Sequence, residues 1–283
     1  MTAVFPSSSA MPSAPPVSPA RPLSRKTPRM SAMPKPPATM RAAPRNEAPH
    51  SMSELTITTR AGETFGAYAA FPDAGGPAPG LLLLNEVFGV NRFMRAIADY
   101  WAGRGFLAVC PKLYWRIDPE FELDPETPGH RDRALATRSQ FDVDLAVSDT
   151  AAAVARLRDM PECSGKVATQ GYCLGGLLAF LHAARGEADC DISYYGVGIE
   201  DYLDEAAQIA RPVMLHIGEA DPWTPAPVRD ATAAALAGHE GAEIYTYPDT
   251  DHAFAREGAV TEVKAMKELA NRRSEAMLGR VLR

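Results

Sequence analysis

Hydrophobic and polar positions alternate from residue 55 onward in a way that predicts repeated strand-then-helix units. A continuous apolar run over 80–85 is typical of a strand buried on both faces. Residues 91–103 have the spacing of an amphipathic helix that ends at a glycine. Further strands are predicted over 55–60, 64–71, 106–110, 166–172, 190–195, 212–217 and 243–247, and further helices over 131–159, directly after 173, and over 200–210, 227–237 and 259–283. This order predicts an α/β fold with a mostly parallel central sheet and helices on both faces.

The first fifty residues differ from the rest in composition. They contain twelve of the 25 prolines, many Ser and Ala, and no hydrophobic period. Because such a segment cannot offset its ordering entropy by burial, we predict that residues 1–52 form a disordered tail and that 53–283 form one domain. The basic, acid-poor composition also fits a targeting segment or a tail without a specific role. We favour a third explanation, in which the true start is Met52.

Charge, cysteine usage and hydropathy argue against several kinds of partner and site. Residues 1–50 carry about +6 and the remainder about −12, and an acidic domain argues against nucleic acid as a partner. No apolar run approaches the roughly 18 residues of a membrane span, so we expect no membrane partner. The four cysteines form no CxxC pair and no metal-ligand spacing with His. We therefore expect no disulfide, no metal and a cytoplasmic location. For the oligomeric state we expect a monomer or a homodimer.

The segment around Cys173 carries the strongest chemical signal. The sequence Gly-Tyr-Cys-Leu-Gly over 171–175 follows a predicted strand and precedes an apolar helix, which is the nucleophile-elbow pattern with Cys in place of Ser. The sharp turn lifts the nucleophile above the sheet, and the helix N-terminus offers free N–H groups that favour a thiolate. The alternative is a buried Cys in a glycine-rich turn.

An acid and a histidine follow in the order that hydrolases of this kind use. Asp221 and His252 each stand just past a predicted strand, and the carboxyl ends of parallel strands meet at one sheet edge. The sequence therefore predicts that Cys173, Asp221 and His252 form a catalytic triad. Asp249 and Asp251 are rival acids, but the first is expected in a turn and the second is adjacent to the histidine.

Other polar residues are weighed against structural roles. Glu86 follows an all-apolar strand, where a carboxylate would be partly desolvated and would interact with a nearby cation or thiol; it could instead cap a loop. His182 and His216 lie inside a predicted helix and strand and are expected to be structural. Trp223, just past the candidate acid, is expected to line the pocket. The remaining cysteines, at 110, 163 and 190, are expected to pack in the core.

Five separated stretches together resemble the dienelactone hydrolase (carboxymethylenebutenolidase) family of the α/β-hydrolase superfamily. They are Asn-Glu-Val-Phe-Gly-Val-Asn from 85, Cys-Pro-Lys-Leu-Tyr from 110, the Gly-rich turn over 171–176, Tyr-Tyr-Gly-Val-Gly from 194, and His-Ala-Phe-Ala-Arg from 252. The resemblance implies an α/β-hydrolase fold. It also implies a cysteine hydrolase that needs no cofactor and cleaves a small anionic lactone, dienelactone to maleylacetate, through an acyl-thioester.

The same resemblance implies roles for single residues. Cys173 would be the nucleophile, His252 the general base and Asp221 the residue that orients it. The backbone N–H groups of Leu174 and Val87 would form the oxyanion hole, Arg131 and Arg256 would bind the substrate carboxylate, and Glu86 would control the protonation of the thiol.

The sequence departs from the family pattern around the substrate. Leu135 and Arg138 stand where the family has a Tyr and a Trp, and Ala253 stands where a Ser usually follows the catalytic histidine. These departures leave two alternatives open. One is a general carboxylesterase with a different acyl pocket, and the other is a hydrolase scaffold that binds a ligand without turnover.

Overall fold

The computed structural model describes residues 52–283, so the predicted tail lies outside the described residues except for Met52, and the predicted domain boundary stays a prediction. Within 52–283 the chain forms one eight-stranded sheet of order β1-β2-β4-β3-β5-β6-β7-β8. The strands are β1 Met52–Thr58, β2 Thr64–Ala70, β3 Ala78–Leu84, β4 Leu107–Pro111, β5 Cys163–Tyr172, β6 Cys190–Tyr194, β7 Val213–Gly218 and β8 Ala242–Tyr247. Only the pairs made by β2 are antiparallel in this described part, which confirms the predicted mostly parallel sheet.

Helices cover both faces of the sheet. They are α1 Arg92–Ala102, α2 His130–Arg138, α3 Val143–Arg158, α4 Leu174–Arg185, α5 Ala226–Leu236 and α6 Lys264–Leu282, with a 3₁₀ segment over Ile199–Gln208. The apolar strand β3 shows why two layers form: Leu82 and Leu84 pack in the core with α3 and α4, whereas Leu81 and Leu83 pack in the core with α1 and α6. Successive side chains of a strand point to opposite faces, so a continuous apolar run needs a helix layer on each side.

Three sequence-predicted helices have different bounds in the structure. The predicted helix over 131–159 is wrong as one element, because α2 ends at Arg138 and α3 starts at Val143. Asp142 caps α3 by accepting a hydrogen bond from the Leu145 N–H at 3.0 Å, and the buried Phe141 anchors the break. The segment predicted over 200–210 is a 3₁₀ segment with a kink at Tyr202, and the C-terminal helix starts five residues later than predicted.

The topology brings the candidate functional residues to one edge. Strands β3, β5, β7 and β8 run parallel, and the residues that follow them include Glu86, Cys173, Asp221 and His252. None of the helices in 52–283 has the length and apolar character needed to cross a membrane.

Candidate active site

Cys173 occupies a strained turn between β5 and α4. Its φ is 54° and its ψ is −113°, in a region that residues with a side chain seldom adopt. The flanking glycines are required by close approach. A Cβ on Gly171 would lie 1.8 Å from the carbonyl oxygen of Gly175, and a Cβ on Gly175 would lie 2.1 Å from that of Leu84. The geometry is that of the predicted nucleophile elbow.

The structure brings the histidine and the acid together beside the cysteine. His252 Nδ1 lies 2.7 Å from Asp221 Oδ2, and the ring interacts with the Cys173 side chain. The other oxygen of the buried Asp221 accepts a hydrogen bond from the Trp223 N–H at 2.8 Å. The rival Asp251 accepts the backbone N–H of His252 at 2.6 Å, so its recorded bond is to the backbone and not to the ring.

The charge state of His252 follows from these contacts. Burial by itself would lower the pKa of the imidazole, but the hydrogen bonds and charges of Asp221 and Cys173 outweigh it and raise the pKa to about 10. The negative charge of Asp221 beside Nδ1 favours the protonated ring. The imidazolium form therefore predominates at neutral pH, and it can stabilise a thiolate and donate a proton to a departing oxygen.

Two backbone N–H groups at the cavity are free to bind an anion. Leu174 is the first residue of α4 and Val87 follows the end of β3, and both line the cavity beside Cys173. Within the described residues neither N–H donates a backbone hydrogen bond, whereas the next one, that of Gly175, donates to the Asn85 carbonyl at 3.0 Å. Free N–H groups at a helix N-terminus are suited to hold a developing oxyanion.

Glu86 and Arg256 form an ion pair across 170 residues of sequence. Arg256 Nη1 lies 3.1 Å from Glu86 Oε2; the Glu86 side chain is buried and that of Arg256 is partly buried. Within residues 52–283, Glu86 Oε1 and Arg256 Nε have no hydrogen-bond partner. The guanidinium carbon also lies 5.6 Å from the centre of the Phe88 ring. The pair is therefore incompletely satisfied, which leaves donor and acceptor capacity at the cavity wall.

Tyr195 is a residue of this site that sequence reasoning did not single out. Its ring makes an edge contact with His252 at a centroid distance of 5.1 Å, and its backbone φ is 39°. Burial raises its pKa well above the ordinary value, and the charge of Glu86 adds to this increase. Its hydroxyl is buried without a partner in the described part of the chain. The signal available was its place in the Tyr-Tyr-Gly stretch at the end of β6.

A cavity of about 520 Å³ is lined by Cys173, His252, Glu86 and Arg256, among others. Helix α2 contributes Arg131, Leu135 and Arg138, which are four and seven residues apart and therefore share one helix face. Trp223 and Ala253 also line the cavity, as expected for the positions next to the acid and the histidine. Arg131 is exposed and lines the cavity, and its role toward a substrate carboxylate stays a prediction.

Residues expected to be structural lie away from the cavity. His182 Nδ1 bonds Asp191 Oδ1 at 2.8 Å, and the ring of His216 bonds Tyr247 and Ser274. Cysteines 110, 163 and 190 are buried and free. Over residues 52–283, no group of three or more His, Cys, Asp or Glu side chains is arranged to hold a metal ion.

Comparison with known proteins places this site in a family. A sequence model of the dienelactone hydrolase family matches residues 65–282. The chain is 39% identical over 224 residues to carboxymethylenebutenolidase 1 of Cupriavidus pinatubonensis, covering 79% of this chain and 95% of that protein. It is 38% identical over 219 residues to a carboxymethylenebutenolidase of Pseudomonas putida, covering 77% and 92%.

Solved structures show the same fold at low sequence identity. A dienelactone hydrolase from Anabaena variabilis superposes with a TM-score of 0.62 at 18% identity, covering 83% of this chain and all of that one. An esterase from Pyrococcus furiosus superposes with a TM-score of 0.64 at 15% identity, covering 83% and 94%.

Proposed function

Since the chain belongs to the dienelactone hydrolase family, we propose that it hydrolyses a small anionic lactone of the dienelactone type with Cys173 as nucleophile. The observation that carries this proposal is the 2.7 Å contact of His252 with the buried Asp221, next to a cysteine on a nucleophile elbow. The carboxylate-binding part rests on Arg256 in the wall of the same cavity. The planar guanidinium can donate two parallel hydrogen bonds to a carboxylate.

The proposed reaction has two steps. The Cys173 thiolate attacks the lactone carbonyl carbon, the ring C–O bond breaks, and the departing oxygen takes a proton from the His252 imidazolium. Water then attacks the acyl-thioester, and His252 accepts a proton from that water as the C–S bond breaks. The N–H groups of Leu174 and Val87 hold the oxyanion in both steps.

We also propose that Glu86 couples substrate binding to the reactivity of the thiol. Glu86 is paired with Arg256, and a substrate carboxylate would compete for the same guanidinium. A carboxylate that loses its cation in a buried site gains affinity for a proton, so Glu86 would then take the proton of the Cys173 thiol. The unpartnered Oε1 of Glu86 supports this role because it has room to accept a proton.

The Glu86 proposal is tested by substituting Glu86→Gln and measuring alkylation of Cys173 by iodoacetamide in the presence of acetate, a small carboxylate that can compete for Arg256. The other three cysteines of the described chain are buried, so alkylation reports on Cys173. We expect a slower reaction and a lower kcat. The matched control is Glu126→Gln, an exposed acid whose charge also acts on Arg256. Unchanged alkylation and turnover in the Glu86→Gln variant would contradict the coupling.

Substrate class is tested by comparing a dienelactone that carries a free carboxylate with neutral 4-nitrophenyl acetate. We expect the wild type to prefer the anion and Arg256→Ala to lose that preference, whereas the exposed Arg272→Ala should keep it. Trapping an acyl adduct on Cys173 by mass spectrometry tests the thioester. Equal preference for the neutral ester in wild type and Arg256→Ala would reject the anionic substrate.

A general carboxylesterase is the second candidate function. Four large apolar side chains are exposed among the described residues, and three of them, Leu135, Trp223 and Val260, line the cavity. Exposed apolar side chains gathered at one place indicate a binding surface for an apolar group. An ester with a bulky apolar part would use this rim, and the comparison with the neutral ester above distinguishes this candidate.

A further inference from the structure

The cavity contains a cation that the proposed mechanism does not use. Arg138 lines the cavity at the C-terminal end of α2, and its side chain is half-buried. In the described chain it forms no ion pair. The acids Asp201 and Asp251 also line the cavity, but neither forms an ion pair with a cavity arginine there. The guanidinium is therefore a cation without a counter-charge in a concave site.

Packing holds Arg138 in place in the cavity wall. Its guanidinium carbon lies 5.7 Å from the centre of the Phe141 ring, and this ring packs on Tyr114 with centroids 4.8 Å apart. Phe141 is in the break between α2 and α3, so the break positions the arginine. A cation over an aromatic face keeps its hydrogen-bond donors free for a ligand.

Arg138 and Cys173 line the same cavity, and both act electrostatically on the phenol of Tyr114. Burial raises the pKa of the Tyr114 phenol, the Arg138 charge lowers it, and Cys173 raises it. The buried phenol of Tyr114 therefore interacts electrostatically with both Arg138 and Cys173. The partly buried Arg256 interacts with Glu86 and Tyr195 instead. The cavity wall therefore carries three arginines. Arg256 is neutralised by Glu86, whereas the exposed Arg131 and the half-buried Arg138 form no ion pair in the described chain.

We propose that Arg138 binds a second carboxylate, so that the substrate of this chain is a dicarboxylate ester or lactone. This inference rests on the proposed hydrolase function and refines its substrate class. Arg131 cannot bind the same acid group as Arg138, because the seven-residue separation along α2 corresponds to about 10 Å. An apolar skeleton between the two acid groups would contact Leu135 and Trp223. An unpaired arginine in a half-buried site gains most from a ligand that brings the missing negative charge.

The test is binding, so that it does not depend on turnover. Isothermal titration calorimetry compares 3-phenylpropanoate with phenylsuccinate, which differs only by a second carboxylate. We expect the wild type to bind phenylsuccinate at least about tenfold more tightly, which is the effect of one charge-assisted hydrogen-bonded contact. Arg138→Gln should remove that advantage, and Arg138→Lys should restore part of it.

The control is Arg133→Gln on the same helix, because Arg133 pairs with Asp118 and does not line the cavity. It should keep the preference for phenylsuccinate. Circular dichroism of each variant verifies folding, and Arg138→Lys provides the comparison if the Gln variant unfolds. The proposal is overturned if the wild type binds both probes equally or binds neither, or if Arg138→Gln keeps the preference. Failure of lactone turnover would reject the proposed hydrolase function, whereas the comparison of the two ligands would still show whether Arg138 binds a second carboxylate.

Discussion

Asp221→Asn separates the charge of the acid from its position. The carboxamide has nearly the same shape and keeps an oxygen that can face His252 Nδ1, 2.7 Å away in the wild type. What it removes is the negative charge that stabilises the imidazolium. If the charge matters, the histidine should titrate at a lower pH in the variant and turnover should fall.

The magnitude follows from the pKa of His252. The folded protein raises it from 6.5 to about 10. At about 1.4 kcal/mol for each pH unit, the imidazolium is favoured by about 5 kcal/mol relative to the unfolded chain. Burial lowers the pKa, and Asp221 and Cys173 together outweigh it, so the variant should titrate clearly below the wild-type value of about 10. Loss of the orienting acid should lower kcat/KM by on the order of 100-fold or more, by analogy with serine hydrolases.

The same shift has a consequence for stability. Because the folded pKa of His252 lies above the unfolded value, its contribution is complete below about pH 6.5 and is lost as the pH rises toward 10. Denaturation with urea at pH 6 and pH 9.5 should therefore show a smaller pH-dependent loss of stability in Asp221→Asn than in the wild type.

The assay is titration of His252 by NMR of ¹⁵N-histidine-labelled protein, together with the pH dependence of kcat/KM. The matched control is Asp251→Asn, which removes the charge of the neighbouring acid, whose hydrogen bond is to the backbone and not to the ring. It should change the pKa of His252 far less. An unchanged pKa in Asp221→Asn, or an equal decrease in both variants, would refute the assignment of Asp221 as the partner of the ring.

Three further predictions concern the elbow and the core. Gly175→Ala should unfold the protein or abolish turnover, because the added Cβ would lie 2.1 Å from the Leu84 carbonyl oxygen. Thermal denaturation and an activity assay measure the two effects, and a stable, active variant would contradict the prediction. Cys173→Ser should fold, by circular dichroism, yet lose on the order of 100-fold in activity, because the site is arranged for a thiolate; a rate near that of the wild type would exclude Cys173 as the nucleophile. Burial lowers the pKa of His216 to about 3, so the free energy of unfolding should fall by about 2 kcal/mol between pH 6.5 and 5. His216→Gln should reduce this pH dependence, which urea denaturation at the two pH values measures. An equal pH dependence in the wild type and the variant would contradict the prediction.

The sheet and the elbow could be predicted from the sequence because their causes are local. The apolar run of β3 needs burial on two faces wherever it is placed, and the glycines around Cys173 admit few structures other than a tight turn. The helix break was missed because helical periodicity persists through 139–142. A single cap at Asp142 and the burial of Phe141 decide it.

What the sequence by itself determined is therefore the type of sheet, the tight glycine turn at Cys173 and the order in which Asp221 and His252 follow it. Each depends on strand patterning and on residues a few positions apart. The tertiary structure alone decided which distant groups meet. It pairs Glu86 with Arg256 and sets the ring of Tyr195 against His252. Contacts of this kind depend on how separate strands and loops pack at one sheet edge. That packing produces no hydrophobic periodicity in the sequence from which the contacts could be predicted.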